Sequence, residues 1–246
     1  MKELSTGPRP IENSAVTGSA RGILAVVCVA MFFGVLNASA VGVVLPEIAG
    51  GLSMDTAQIG WLMTGYLLVY GIAIPFYGRL ADRYGAGHLF IFGVVVFSLG
   101  SLLAATATNY PFLVSARVVQ ALGGAAVPGL GMTLVSRAYG PESRGMVLGI
   151  IASTIGVGSA AGPLLGGLFS ELFGWRSIFF ITASAVLTIP IAIKALPKSE
   201  RRLEGNIDLI GGVGLALMAA GILLVPSEGS RSGWTSNWWL RAEHRP

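Results

Sequence analysis

Charge is what this sequence lacks most. Asp, Glu, Lys and Arg make up 11% of its 246 residues, against roughly a quarter in soluble domains. So few charges cannot cover a water-facing surface, which excludes an ordinary soluble domain and argues for a chain solvated by lipid. Cysteine is nearly absent. Cys28 stands alone inside an apolar run, so no internal disulfide can form. The two histidines, His88 and His244, are far apart, and no Cys/His cluster has metal-ligand spacing. No nucleophile has an evident base. These absences predict no metal, no cofactor and no enzymatic chemistry. The net charge of +4 is scattered between apolar runs, which argues against a nucleic-acid partner. Glycine is plentiful, at 35 copies, but has no G-X-Y period. That excludes collagen and suits membrane helices whose backbones approach closely.

What the sequence does have is long apolar runs, with a mean hydropathy of +0.73. A spanning helix needs roughly 20 mostly apolar residues. Seven candidates satisfy this, at about 22–45, 57–78, 88–107, 111–135, 145–170, 176–196 and 207–225. Breakers part them: Pro46 with Gly50–Gly51, then "RLADRYGAG", "TNYP", "RAYGPESR", "FGWR" and the charged "PKSERRLEGN". The polar, Pro- and Ser-containing residues 1–20 read as a disordered tail. The following run of about 24 residues exceeds the ~7–15 of a cleaved signal peptide, so it reads as a retained first span. The organisation expected is therefore a tail (1–20), a six-span bundle (21–196), a linker (197–206), a seventh span (207–225) and an ending at 226–246. In that ending Trp234, Trp238 and Trp239 resemble the aromatic belt opening a further span. A short polar stretch follows instead, and the chain reads as interrupted.

Lys and Arg set the orientation. Lys2, Arg9, Arg21, Arg79, Arg83, Arg137, Arg144, Lys194, Lys198, Arg201 and Arg202 fall on one side of this topology, and only Arg176 falls in the opposite connections. The positive-inside rule then predicts a cytoplasmic N-terminus.

Four groups of residues stand out against this background. Between spans two and three, "GRLADRYGAGH" sets Asp82 beside Arg83, framed by Gly78 and Gly85. A carboxylate there can stay ionised by pairing with Arg83 or by facing a helix N-terminus. The bland reading is a plain basic loop with an ion pair worth ~0–1 kcal/mol. In span four, Arg117 is the one charge well inside an apolar run, about 9 Å past Pro111. Gln120 and Gly124 follow at i+3 and i+7 and share its face, giving a polar stripe suited to a water-filled cavity. A buried cation costs at least ~2.5–3.5 kcal/mol on insertion scales; the bland alternative is an arginine snorkelling to the interface. In span five, Gly158, Gly162 and Gly166 recur every four residues, so one helix face is nearly bare backbone. Pro163 removes a donor within that face, and Gly167 follows Gly166. Generic small-residue packing explains each glycine singly. In span one, Asn37 is a lone amide, suited either to substrate contact or to an interhelical hydrogen bond worth ~0.6 kcal/mol.

Together these stretches resemble the major facilitator superfamily. Gly78, Asp82, Arg83 and Gly85 match its G-x-x-x-D-R-x-G loop, "ARVVQALGGAA" its fourth-span motif, and "GSAAGPLLGG" its fifth-span antiporter motif. "LNASAVGVVLPEIA" is similar to the first-span signature of drug:proton antiporters with fourteen spans. The resemblance covers about 21–225. It implies an all-α integral membrane fold: the N-terminal six-helix bundle of a major facilitator plus one further span, about seven transmembrane helices in all. It also implies proton-coupled efflux of small lipophilic drugs, of multidrug or tetracycline type, across the bacterial inner membrane. Asp82 and its neighbours would then latch to a second half, and Arg117 would help control the proton site. The sequence departs from the pattern twice. Ala86, Gly87 and His88 stand where basic residues usually follow Gly85, and Asn37 stands where an acid is common. With no Asp or Glu inside the first six predicted spans, a proton carrier is expected elsewhere, in a missing C-terminal half. The chain would be one half of a transporter, completed by that half or by a homodimer. Rival readings are an inactive fragment or membrane interaction partner, and an uptake symporter, against which the span-five Gly-Pro motif argues.

Overall fold

A computed structural model of the chain describes residues 13–196. The linker at 197–206, the seventh span at 207–225 and the ending at 226–246 lie outside the described residues. Helix α1 runs Asn13–Gly51, α2 Thr56–Tyr84, α3 Ala86–Ala105 and α4 Tyr110–Ala138. After a 3₁₀ turn at Pro141–Ser143 come α5, Arg144–Phe173, and α6, Arg176–Ala183; a second 3₁₀ segment, Ser184–Thr188, leads into α7, Ile189–Ala195. Among the described residues six stretches are long and apolar enough to cross a membrane, the sixth formed by α6, the 3₁₀ segment and α7.

The sequence places these spans well but misjudges several ends. Pro46 does not stop α1: it lies inside the helix, and regular bonding continues from Leu52 N–H to the Ile48 carbonyl at 3.0 Å. One lost donor is tolerated where neighbouring helices support the backbone. At its other end α1 begins at Asn13, within the stretch that reads as a tail. The segment 78–88 is not an extended loop. Gly78, Asp82 and Arg83 are helical, and Gly85 alone separates α2 from α3 at φ +82°. That left-handed backbone favours glycine. Polar caps set other boundaries. Asp55 accepts from Gln58 N–H at 2.7 Å and the Gln58 side chain accepts from Asp55 N–H at 3.1 Å, a reciprocal start for α2. Asn109 caps α4 through Phe112 N–H at 2.9 Å, just where "TNYP" predicts a turn.

Helix α4 packs against α1, α2 and α3; α5 packs along α1, and α6 closes against α1, α3 and α5. Two apolar clusters result. One gathers Val27, Phe90, Phe97, Ala126 and Leu130 near the basic end of the bundle. The other gathers Val41, Ala104, Leu113, Ala116 and Phe179 toward the opposite end. Large apolar side chains such as Phe92, Leu99, Leu164 and Leu168 face outward, as a lipid-solvated surface allows.

Candidate functional site

Between the two apolar clusters lies a buried polar layer. On α4 it falls between Ala116 of one cluster and Ala126 of the other. Arg117 is its centre, 2% exposed. Its Nη1 donates to Asn37 Oδ1 at 2.8 Å and to Gln120 Oε1 at 2.6 Å. Gln120 Nε2 donates to Ser101 Oγ at 2.6 Å, and Ser101 Oγ donates to the Phe97 carbonyl at 2.9 Å. Asn37 Nδ2 donates to Thr182 Oγ1 at 3.2 Å, and Thr182 Oγ1 donates to the Phe179 carbonyl at 3.2 Å. The Arg117 guanidinium lies 3.9 Å from the centre of the Tyr66 ring and 5.9 Å from that of Phe179. Side chains from α1, α2, α3, α4 and α6 thus converge on one cation.

The chemistry of this layer is unusual in one respect. Arg117 is held by amide oxygens and ring faces, and no carboxylate among the described residues pairs with it. Its Nε has no hydrogen-bond partner there, nor does Ser98 Oγ nearby on α3. Burial of a charge without a counter-ion is costly. Neutral acceptors and π faces recover part of that cost, about 1.5–3 kcal/mol for each hydrogen bond to a charged group.

Beside the layer is a cavity of about 400 Å³ lined by α1, α2, α4 and neighbouring segments. Its walls are almost wholly apolar, with Tyr66, Tyr70, Ser39 and Ser159 as the polar side chains. Tyr66 belongs to both features: it covers Arg117 and lines the cavity. Its ring stacks on Tyr70 at 5.8 Å and 25°. Gly124, on the Arg117 face of α4, keeps this corner open; a methyl group there would stand 3.4 Å from Tyr70 and 3.5 Å from the Tyr66 hydroxyl.

The structure brings Asn37, Arg117 and Gln120 into one network. The glycines of span five sit elsewhere, against α1. A Cβ on Gly158 would meet Val35 at 3.3 Å, on Gly162 Ser39 at 2.4 Å, and on Gly166 Ala40 at 3.1 Å. Pro163 lies inside α5, while Gly167 faces open space. Gly78, Asp82, Arg83 and Gly85 lie apart from the polar layer, at the junction of α2 with α3. The ion pair considered for Asp82 is not formed with Arg83, whose guanidinium lies 5.6 Å from the centre of the Tyr84 ring instead. A methyl group added to Gly78 would meet nothing within 4 Å among the described residues, so this glycine is not pressed against another helix there.

Sequence reasoning missed Tyr66, Ser101, Thr182 and Glu47. Glu47 falls beyond the predicted end of span one but inside α1. Its carboxylate accepts from the Ser170 hydroxyl and, at 3.1 Å, from Trp175 N–H, tying α1 to the end of α5 and the start of α6. Asp82 and Glu171 also prove to be helical, near the ends of α2 and α5. The spans therefore do contain acids, but none in the buried polar layer.

The pattern of the Major Facilitator Superfamily matches residues 27–240, so the chain belongs to that family of membrane transporters. It is 33% identical over 72% of its length to the riboflavin transporter RibZ of Clostridioides difficile, covering 39% of that protein. It is 29% identical over 90% of its length to the methylenomycin A resistance protein of Bacillus subtilis, covering 48%. It is 31% identical over 76% of its length to a multidrug resistance protein B homolog of Mycobacterium tuberculosis, covering 39%. The chain thus spans less than half the length of these relatives. A crystal structure of a bacterial homolog of the human lysosomal transporter Spinster, inward-facing and unoccupied, superposes with a TM-score of 0.63 at 20% identity. It covers 82% of this chain and 47% of that one, a likeness of fold.

Proposed function

We propose that this bundle is the N-terminal half-site of a proton-coupled exporter of small lipophilic compounds in the bacterial cytoplasmic membrane. The single observation carrying this reading is Arg117: a cation with no carboxylate partner among the described residues, buried beside an apolar cavity. Intramembrane charges of this kind are expensive and default to pathway roles. Transport by rocking requires two bundles around one midplane site. The second wall would come from another bundle of the same polypeptide or from a second copy. Relatives named for multidrug and methylenomycin A resistance support export, and the α1–α5 glycine seam supports a helix pair that can seal the cavity. Inward proton movement would supply about 2.3 kcal/mol per charge per 100 mV. Orientation follows the basic residues, with the N-terminus and the Asp82 segment cytoplasmic.

The test is accumulation of lipophilic drugs, tetracycline among them, in a sensitive bacterium lacking its main pumps and expressing the complete gene product. Reduced accumulation, restored by a protonophore, is expected; accumulation equal to the empty vector contradicts export. Reporter fusions after Arg83 and Arg144 should read cytoplasm, and fusions after Asp55, Asn109 and Gly174 the outside. Reversal at two of these sinks the orientation.

A further inference from the structure

The cavity's charge environment restricts what can occupy it. None of its lining residues among those described is charged. The nearest charge of the polar layer is Arg117, separated from the cavity by the Tyr66 ring. That charge is incompletely satisfied: two amide oxygens accept from Nη1, and Nε has no partner. In a low-dielectric interior a positive charge acts across one aromatic ring with little screening. A second cation in the cavity would be repelled, with no carboxylate on this wall to offset it. The same wall carries one part-exposed ring, Tyr70, backed by the buried Tyr66 at 5.8 Å and 25° and lying beside Gly124. Flat rings pack on such a surface by offset stacking.

We infer that this cavity selects aromatic ligands that carry no positive charge, and that Tyr66 sets this selectivity by standing between the ligand and Arg117. The inference rests on reading the cavity as the substrate site, and it narrows lipophilic drugs in general to uncharged or acidic aromatic ones. Tyr66 has two parts in it. Its ring backs Tyr70, whose part-exposed ring supplies the stacking face, and it keeps the guanidinium from direct contact with an acidic group on the ligand.

The test is binding, independent of transport. The complete gene product in lipid nanodiscs is titrated with three fluorescent aromatic probes, with empty nanodiscs subtracted: uncharged phenylnaphthylamine, anionic anilinonaphthalenesulfonate and cationic ethidium. Phenylnaphthylamine and the sulfonate should bind, and ethidium should bind about tenfold more weakly or worse. Arg117→Gln should raise ethidium affinity relative to phenylnaphthylamine several-fold. Tyr70→Phe should keep phenylnaphthylamine affinity, and Tyr70→Ala should lower it about fivefold. If Arg117→Gln does not reach the membrane, Tyr66→Leu replaces it; removing the shield should favour the sulfonate over ethidium further. Ethidium binding as tightly as phenylnaphthylamine, an unchanged charge ranking in Arg117→Gln, or the reverse shift in Tyr66→Leu would overturn the inference. So would absence of binding by every probe. The predicted charge order without any export would leave the inference standing and defeat only the transport reading.

Discussion

Two glycine seams hold this bundle together, and they differ in kind. Where α3 crosses α4, backbone lies on backbone. A Cβ added to Gly123 would stand 2.1 Å from Phe97 N and 2.6 Å from the Gly93 carbonyl oxygen; one added to Gly100 would stand 2.4 Å from Gln120 N. Where α5 lies along α1, the clearances vary: 3.3 Å at Gly158, 2.4 Å at Gly162, 3.1 Å at Gly166. The tightest of these meets Ser39 Cβ, with the Ala40 nitrogen at 3.1 Å and the Leu36 carbonyl oxygen at 3.2 Å beside it. The first seam is a fixed spine, and because Gly100 abuts Gln120 it also sets where Arg117 finds its acceptor. The second is a looser, graded contact, its main-chain clearances all 3.1 Å or more. The regular spacing visible in the sequence thus marks the looser seam, and the tighter one carries no such spacing.

Substitutions can break that contrast. The largest effect is expected from Gly123→Ala. Main chain cannot yield to the new methyl group, so a loss of about 3 kcal/mol or more is expected, at or above the usual range for overpacking. Membrane abundance and thermal melting in detergent measure it, and a well-folded Gly123→Ala protein would show that the spine is looser than described. Next comes Gly162→Ala, at about 1–2 kcal/mol. Abundance should persist while export falls, and Ser39→Gly in the same chain should restore part of it. Absence of rescue would place the cause outside this contact. Gly158→Ala should cost under ~1 kcal/mol, since its neighbour needs to move only slightly. Gly167→Ala should be neutral within ~0.5 kcal/mol because nothing among the described residues lies within reach of the new methyl group. A large loss of export with normal melting at Gly167 would mean that this glycine meets a surface beyond the described helices.

How much of this was legible beforehand follows from residue chemistry. Asn37, Arg117 and Gln120 announce themselves because amides and guanidinium are rare in apolar runs, and helical spacing puts two of them on one face. Ser101 and Thr182 are hidden because small hydroxyls recur throughout membrane helices and satisfy themselves on the preceding turn. Tyr66 reads as an ordinary aromatic until α2 is placed against α4. Gly93 and Gly100 are lost among 35 glycines, and Gly123, though inside "ARVVQALGGAA", shows its contact with α3 only once the two helices cross. The helix ends were misjudged at Pro46 and at Asp82–Arg83 because apolarity stops before hydrogen bonding does. Glu47 was missed for the same reason.

The central claim is that the buried cation serves transport rather than packing alone. Export by the complete gene product carrying Arg117→Ala or Arg117→Lys, each scaled to its abundance in the membrane, tests it most directly. The ammonium of lysine can still reach neutral acceptors, so Arg117→Lys should fold; it should export only in part, because it lacks the planar guanidinium that spans Asn37, Gln120 and Tyr66. Arg117→Ala should export nothing beyond the empty vector. Parental export by Arg117→Ala at normal abundance would contradict the account and leave Arg117 as a packing residue.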